Sequence, residues 1–218
     1  MNKKKEDHSG IKFSAAFVND ILAAKMYHDS VRLRIKGAWR DAGDKLMAVA
    51  EISLQTKMST EAACYLTEAA ETYIKVDKGE ALSAYKKSIK IYCDSGRFDI
   101  GGKLEQRVAY LNLYAQHWED AALHFKRAAN FLAGDKLLDQ SDHCMQKAAE
   151  CFIKVQSYAE AADLYLLIAR SCVNSNLRRF NARDHLLMAI LCHLAIPEAQ
   201  VRTNPPLHYD VYQPPFIP

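Results

Sequence analysis

Residues 118–132 read WEDAALHFKRAANFL, and the order of residue types in this stretch recurs along most of the chain. An aromatic residue comes first, followed by a pair of small residues, a ring and a second small pair. With Ala121 as the reference, small residues return at steps of 19 to 21 residues, at Ala42, Ala62, Ala81, Gly101, Ala161 and Ala182. Asp142 stands in the one slot where the small residue is missing. The chain is therefore a repeat array.

Further positions of the unit keep a fixed distance from the reference. An aromatic residue stands three positions before it in four units, and a large apolar residue stands four positions after it in four units. These residues are Trp39, Phe98, Trp118 and Tyr158, and Leu66, Tyr85, Phe125 and Tyr165. Small residues return seven positions after it. Because offsets of three, four and seven share one face of an α-helix, each unit predicts one amphipathic helix.

The length of the unit predicts the architecture. A helix of about 16 residues and a short turn fill each step, so two helices make a unit near 40 residues, somewhat longer than the roughly 34 of a tetratricopeptide (TPR) unit. We expect an all-α, TPR-like helical solenoid, a twisted sheet of antiparallel helix hairpins. Residues 20–196 form this domain, and its first helix runs from Asp20 to Arg34.

The two flanks differ from the repeat. We expect residues 1–19 to form a disordered, partly hydrophobic segment that includes Phe13 and Phe17. The two Phe either pack onto the next helix or form an exposed apolar finger that enters a bilayer. All six prolines fall in residues 197–218, so we expect an extended, largely unstructured tail without the capping helix that the end of a solenoid requires.

Polar residues and glycines near the predicted helix ends suggest how the helices stop and start. Ser59 or Thr60 caps one helix, and Asp139 or Ser141 caps a later one. Gly96 suits the left-handed residue that ends a helix. The pair Gly101-Gly102 indicates a close helix crossing and not a phosphate-binding loop, since no strand precedes it and no GK[ST] motif follows.

Composition disfavours several kinds of function. A formal net charge of +3 is too small to indicate a nucleic-acid partner, and no apolar run is long enough to cross a membrane. The chain has no nucleophile with a base and no paired carboxylates, so we expect neither an enzyme nor a cofactor. Without a signal peptide, the protein is expected in the cytoplasm.

Six cysteines fall inside helical units without the spacing of a disulfide or zinc framework. They are Cys64, Cys93, Cys144, Cys151, Cys172 and Cys192. The nearest approach to a metal set combines His143, Cys144, Cys151, Cys192 and His193, but it has no CxxC motif. We expect buried, reduced thiols and no metal.

Basic residues recur near the starts of successive helices or just after the reference positions. They are Arg97, Lys103, Lys147, Arg178, Arg179 and Arg183. Because equivalent positions line up in a stacked array, these charges form either a stripe that faces an acidic partner or an ordinary solvated surface.

Three segments resemble signatures of one family. Residues 91–103, IYCDSGRFDIGGK, are similar to the IEIYTDMGRF-type signature of the soluble NSF attachment proteins, the SNAP family. Residues 177–185 with residues 189–193 resemble that family's LLKYSAKDYFFKAALCHF stretch. Ala62-Ala63-Cys64-Tyr65 resembles its AATCF. The likeness extends roughly from Ala23 to Ala195 and is closer to the alpha type than to the gamma type.

The resemblance implies a function and a set of contact residues. The family folds as a twisted sheet of antiparallel helices, and its concave basic face binds the acidic SNARE four-helix bundle. Family members also recruit the hexameric ATPase NSF, which unwinds the bundle. The resemblance implies that six basic residues contact SNAREs: Lys103, Lys147, Arg97, Lys75, Arg179 and Arg183. His143 stands where the family commonly has lysine. The family's membrane-touching loop falls near Phe13 and Phe17, which implies a cytoplasmic protein peripherally associated with membranes.

The sequence departs from the family pattern after residue 196. Family members continue with a C-terminal helical bundle and an acidic, leucine-containing terminus that docks on NSF, whereas this chain has the proline-rich segment. Three expectations follow: a SNARE and NSF adaptor, a truncated SNAP that binds SNAREs without activating NSF, or a general TPR-like scaffold for another partner.

Overall fold

The computed structural model describes residues 15–175 and 178–196. These residues form α-helices joined by short turns, with one 3₁₀ turn at Arg179–Asn181. The helices are α1 (Ala15–Ile35), α2 (Trp39–Gln55), α3 (Ser59–Tyr73), α4 (Lys78–Asp94), α5 (Phe98–Tyr114), α6 (Trp118–Gly134), α7 (Leu138–Lys154), α8 (Tyr158–Val173) and α9 (Ala182–Ala195). The first helix begins at Ala15 and not at the predicted Asp20.

Each helix packs against the helices before and after it in the sequence. Most of the connecting turns are three residues long, which forces neighbouring helices to run antiparallel. The helices therefore stack as hairpins, and the predicted all-α, TPR-like solenoid is confirmed.

One residue in most turns has the left-handed backbone conformation. These residues are Gly37, Lys57, Gly96, Gln116, Lys136 and Gln156, with φ between 60° and 78°. The N–H of the next residue donates to a carbonyl five residues back, as Arg97 does to Tyr92 at 2.9 Å. This hydrogen bond ends one helix and places the chain to start the next. The predicted role of Gly96 is confirmed.

The predicted caps of α3 and α7 are wrong. The residues at the N-cap positions are Met58 and Leu137, and neither helix has a side-chain cap. The left-handed turn leads directly into the next helix, so Ser59 is already helical and its hydroxyl lies too late in the chain to cap.

The turn between α3 and α4 uses a side chain instead. Asp77 precedes α4 and its carboxylate accepts the N–H groups of Gly79 and Glu80 at 3.0 and 3.2 Å. Arg40 from α2 donates to the other carboxylate oxygen at 2.7 Å. These bonds lower the pKa of Asp77, with the Glu80 N–H the largest cause and the Arg40 hydrogen bond next.

The interfaces between helices contain the small residues of the repeat. Ala42, Ala62, Ala121 and Ala161 are fully buried. Each is the fourth residue of its helix, and in α7 that position is Ser141, which is 1% exposed. The small residue is therefore not missing from α7, and the assignment of its slot to Asp142 was wrong by one position. The Ser141 hydroxyl donates to the carbonyl of Ala129 at 2.9 Å, which satisfies it within the interface.

The glycine pair of α5 lies at a close crossing, as the sequence predicted. A Cβ atom at Gly102 would lie 2.9 Å from Cγ of Leu132 and 3.3 Å from the carbonyl oxygen of Ala128. A Cβ atom at Gly101 would lie 3.0 Å from Sγ of Cys93. Only glycine at position 102 allows the backbones of α5 and α6 to approach this closely.

Glu105 takes the place of the large apolar residue in α5. It is buried at 6% exposure, and its carboxylate lies 2.6 Å from Nδ1 of His124 in α6. The equivalent residues Tyr85 and Phe125 are buried apolar rings. The polar pair therefore replaces a ring in this layer of the core.

Two glycine substitutions should change stability in opposite directions. Gly96 has a positive φ of 74°, whereas Gly134 is the last residue of α6 and does not have a positive φ. A Cβ atom added at either position would have no neighbouring atom within 4 Å. We expect Gly96→Ala to lower the free energy of unfolding by about 1 kcal/mol, because alanine resists the left-handed region. Gly134→Ala should raise it by about 0.5 kcal/mol through helix propensity. Urea denaturation measures both, and equal signs would contradict the proposed turn mechanism.

Candidate partner-binding surface

Two helices repeat the same basic positions. Lys103 and His143 are the sixth residues of α5 and α7, and Arg107 and Lys147 are the tenth. Residues four apart share a helix face, so the four side chains form a basic patch on alternate helices, here called the α5/α7 patch. Lys147 is half-buried and the other three are exposed. Sequence reasoning missed Arg107, although a step of 40 residues back from Lys147 reaches it.

Acidic neighbours accompany the cations of the patch. Lys103 Nζ lies 3.8 Å from Asp99, one turn earlier in α5. Lys147 Nζ donates to Glu150 at 2.7 Å, and this hydrogen bond is the main cause that raises the pKa of Lys147. An exposed pair such as Lys103 with Asp99 contributes only about 0.2–1 kcal/mol, so an acidic partner can displace it at low cost.

The patch does not continue onto α3. The equivalent residues there are Cys64 and Glu68, and Glu68 pairs with Arg34 of α1 at 3.6 Å. Arg107 forms an ion pair with Glu71 at the C-terminal half of α3. The two repeated positions are therefore basic on α5 and α7 but not on α3.

Three other predicted contact residues lie over aromatic rings. Lys75 Nζ is 5.3 Å from the ring centroid of Trp39, and Arg97 Cζ is 5.8 Å from that of Tyr92. Arg179 Cζ is 5.6 Å from the ring of its neighbour Phe180. A cation over a ring at an exposed site gains about 0.5–1 kcal/mol, and the ring holds the charge in place.

The predicted residues do not form one line. Lys75 follows the C-terminal end of α3, whereas Arg97 and Arg179 precede the N-terminal ends of α5 and α9. Since the helices alternate in direction, Lys75 lies at the opposite end of the hairpins. Arg183, in the first turn of α9, has a side chain 91% exposed and lies 3.6 Å from Asp184. The structure therefore groups Arg97 and Lys103 near the start of α5, and Arg179 and Arg183 near the start of α9.

Arg178 was predicted to belong to the basic stripe, but its side chain is only 17% exposed. It forms ion pairs with Asp142 and, at 3.3 Å, with Asp139, and it contacts Ser171 of α8 at 3.3 Å. Burial raises the pKa of Asp142, and the charge of Arg178 partly offsets this rise. Arg178 thus joins α7 and α8 to the segment before α9 and is not presented to a partner.

The apolar N-terminal contact is described only in part. Phe13 lies outside the described residues, and Phe17 lies in the first turn of α1 with 46% of its surface exposed. Val18, Ile21 and Leu22 are also exposed on α1. None of the helices described is both long and apolar enough to span a bilayer.

The cysteines are free, and most are buried. Burial raises the pKa of Cys144 and Cys151 to about 11, so both thiols stay protonated near neutral pH. Cys64 is an exception to the prediction of buried thiols, because it is exposed, with its Sγ 3.1 Å from the hydroxyl of Tyr92. Within residues 15–175 and 178–196, no three His, Cys, Asp or Glu side chains are grouped to hold a metal ion.

Sequence comparison with known proteins identifies the same family that the three sequence segments resemble. A family model described as soluble NSF attachment protein, SNAP, matches residues 3–217. An alpha-soluble NSF attachment protein of Vitis vinifera is 26% identical over 89% of this chain and 68% of its own length. That of Mus musculus is 28% identical over 72% of this chain and 54% of its own length. The chain thus spans between about half and two thirds of these relatives.

Another relative and a solved structure also match. The vesicular-fusion protein SEC17 of Komagataella phaffii is 28% identical over 80% of this chain and 60% of its own length. A Podospora anserina putative kinesin light chain with nearly identical TPR-like repeats superposes with a TM-score of 0.47 and 16% identity, over 81% of this chain and 89% of the other.

Neighbouring arginines should behave differently when removed. Arg178→Ala leaves Asp142 partly buried without its cation, so we expect a loss of about 1–3 kcal/mol in the free energy of unfolding. Arg179→Ala removes an exposed side chain and should change the free energy of unfolding by less than about 0.5 kcal/mol. Chemical denaturation of the two variants checks this, and equal losses would contradict the structural role of Arg178.

Proposed function

Because the chain belongs to the soluble NSF attachment protein family, we propose that it is an adaptor that binds SNARE complexes and recruits the NSF ATPase for their disassembly in vesicle fusion and intracellular transport. Membership of this family confirms the prediction that the chain is not an enzyme. The observation that supports the partner is the α5/α7 patch, since an acidic helical bundle matches a basic face of a rigid array.

Within the proposal, Lys103, Arg107 and Lys147 make the central SNARE contacts. Their positions repeat between α5 and α7, so they meet successive parts of one extended partner. Arg97, Arg179 and Arg183 extend the contact at the ends where α5 and α9 begin. Lys75 has the least support, because it lies at the other end of the hairpins.

Membrane attachment is a separate element of the proposal. Phe17 and its exposed neighbours Val18, Ile21 and Leu22 provide apolar surface on α1, and Phe13 precedes them in the sequence. Apolar side chains inserted at a bilayer surface would hold the adaptor at the membrane peripherally, next to the SNAREs it binds.

Reversing two charges tests the partner contact. We expect Lys103→Glu/Lys147→Glu to weaken capture of a purified, soluble SNARE bundle by at least about tenfold, and binding of the unchanged chain to weaken as salt rises. The matched control is Lys86→Glu/Lys90→Glu, which makes the same charge change on exposed positions of α4. Similar losses in both variants would mean that overall charge, and not the patch, drives binding.

Addition of NSF and ATP to the captured complex separates the remaining possibilities. Release of the bundle on ATP addition supports the complete adaptor function. Retention of the bundle despite ATP supports a SNAP that binds SNAREs without activating NSF. Failure to bind any SNARE bundle at low salt would overturn the proposal and favour a TPR-like scaffold for a different partner.

A gain of affinity should follow from one substitution in the patch. His143→Lys places a permanent cation beside Lys147 and at the position equivalent to Lys103, so we expect several-fold tighter SNARE binding near neutral pH and low salt. His117→Lys adds the same charge in the turn before α6 and should leave affinity almost unchanged. Titration of the labelled bundle measures both affinities, and no gain for His143→Lys would place that residue outside the contact.

A further inference from the structure

A cavity of about 470 Å³ lies between α4, α5 and α6. It coincides with a break in the apolar core, because Val108 belongs to one group of buried apolar residues and Ala109 to the next. Glu105, which replaces the large apolar residue of α5, lines the cavity. Of the consecutive α-helices in the described chain, α4 and α5 have the smallest contact. The volume falls in the range of small-molecule sites, roughly 300–1,000 Å³.

Two kinds of side chain line this cavity. Leu82 and Ile89 of α4 and Val108 of α5 are apolar, and the last two are only 8% and 3% exposed. Lys86 of α4 and Arg127 of α6 are basic and exposed. The cavity is therefore apolar in its interior and basic at its opening.

The charges of the cavity favour an anionic ligand. The ion pairs among the described residues involve neither Lys86 nor Arg127. The carboxylate that lines the cavity already has a partner, since Oε2 of Glu105 lies 2.6 Å from Nδ1 of His124. Two cations at the opening thus outnumber one carboxylate whose oxygen is occupied, and the local potential attracts negative charge.

We propose that this cavity binds an amphiphilic anion, a small molecule with an alkyl or aryl chain and a single carboxylate or phosphate group. The chain packs on Leu82, Ile89 and Val108, where removal of apolar surface from water is favourable. The anionic group pairs with Lys86 and Arg127 at the opening through charge-assisted hydrogen bonds. A carboxylate and a phosphate share this chemistry, and a guanidinium matches the geometry of both.

The cavity is separate from the α5/α7 patch. Lys103 and Arg107 are each two residues from Glu105, a rotation of about 200° around α5, so they lie on the side of α5 away from the cavity. The inference therefore does not depend on the SNARE proposal. Lys86→Glu/Lys90→Glu should weaken the binding of the anion and leave SNARE capture unchanged, whereas unchanged anion binding would contradict the role of Lys86.

Titration of the full chain with octanoate and with octyl phosphate tests the site, with amide chemical shifts as the readout. We expect the largest shifts at residues 82–89, 105–108 and 124–127, and the tighter of the two ligands identifies the preferred anionic group. Octanol has the same chain without the charge and should bind at least about tenfold more weakly. An absence of shifts in these segments at millimolar ligand, or equal binding of octanol, would overturn the proposal.

Matched variants test the two halves of the site. Arg127→Glu should weaken octanoate binding at least about tenfold, whereas Lys126→Glu makes the same charge change at the adjacent exposed residue, which does not line the cavity, and should leave it unchanged. Ser83→Trp places a large side chain at an exposed residue that lines the cavity and should block entry of the alkyl chain. Circular dichroism checks that each variant is folded. Equal losses in the two charge variants, or unchanged binding in Ser83→Trp, would overturn the site.

Discussion

The fold depends on how closely successive helices can approach each other. Alanine, glycine or serine occupies the fourth position of each helix from α2 to α8, and at Gly102 the approach is so close that a single methyl group would meet Leu132. Close approach lets one large residue per helix, such as Phe125, fill the space beside the crossing. Because each helix buries this face only against its neighbours, the array has no single central core. A substitution therefore affects mainly the packing of the adjacent helices.

The repeat could be predicted because burial constrains residue type at fixed spacing. Small and large residues of the core recur with the helical period, so the sequence indicates which face of each helix is buried. The exact start of each helix is less constrained, because backbone hydrogen bonds close the turns. The left-handed position in these turns is occupied by Lys57 and Gln116 as well as by Gly96, so no particular side chain marks where a helix begins. For this reason the capping residues, and the position of Ser141 relative to Asp142, were assigned incorrectly.

The binding surface was predictable to a smaller extent, because charge alone does not tell a structural cation from a free one. Arg178 and Arg179 are adjacent in sequence, yet the first is enclosed by Asp142 and Ser171 and the second is exposed. Only the three-dimensional neighbours separate them. Conversely, Arg107 resembles an ordinary surface residue in the sequence, and the helix register shows that it is equivalent to Lys147.

The turn before α4 differs from the other turns in its response to acid. The three-residue turns close through backbone groups that do not titrate, whereas this four-residue turn also uses the Asp77 carboxylate and its bond to Arg40. The pKa of Asp77 is lower in the folded chain, so its contribution is complete above the ordinary aspartate pKa and is lost as pH falls through the folded value. Acid therefore weakens the cap of α4 and its ion pair to α2 at a pH where the turns that close through backbone groups alone are unaffected.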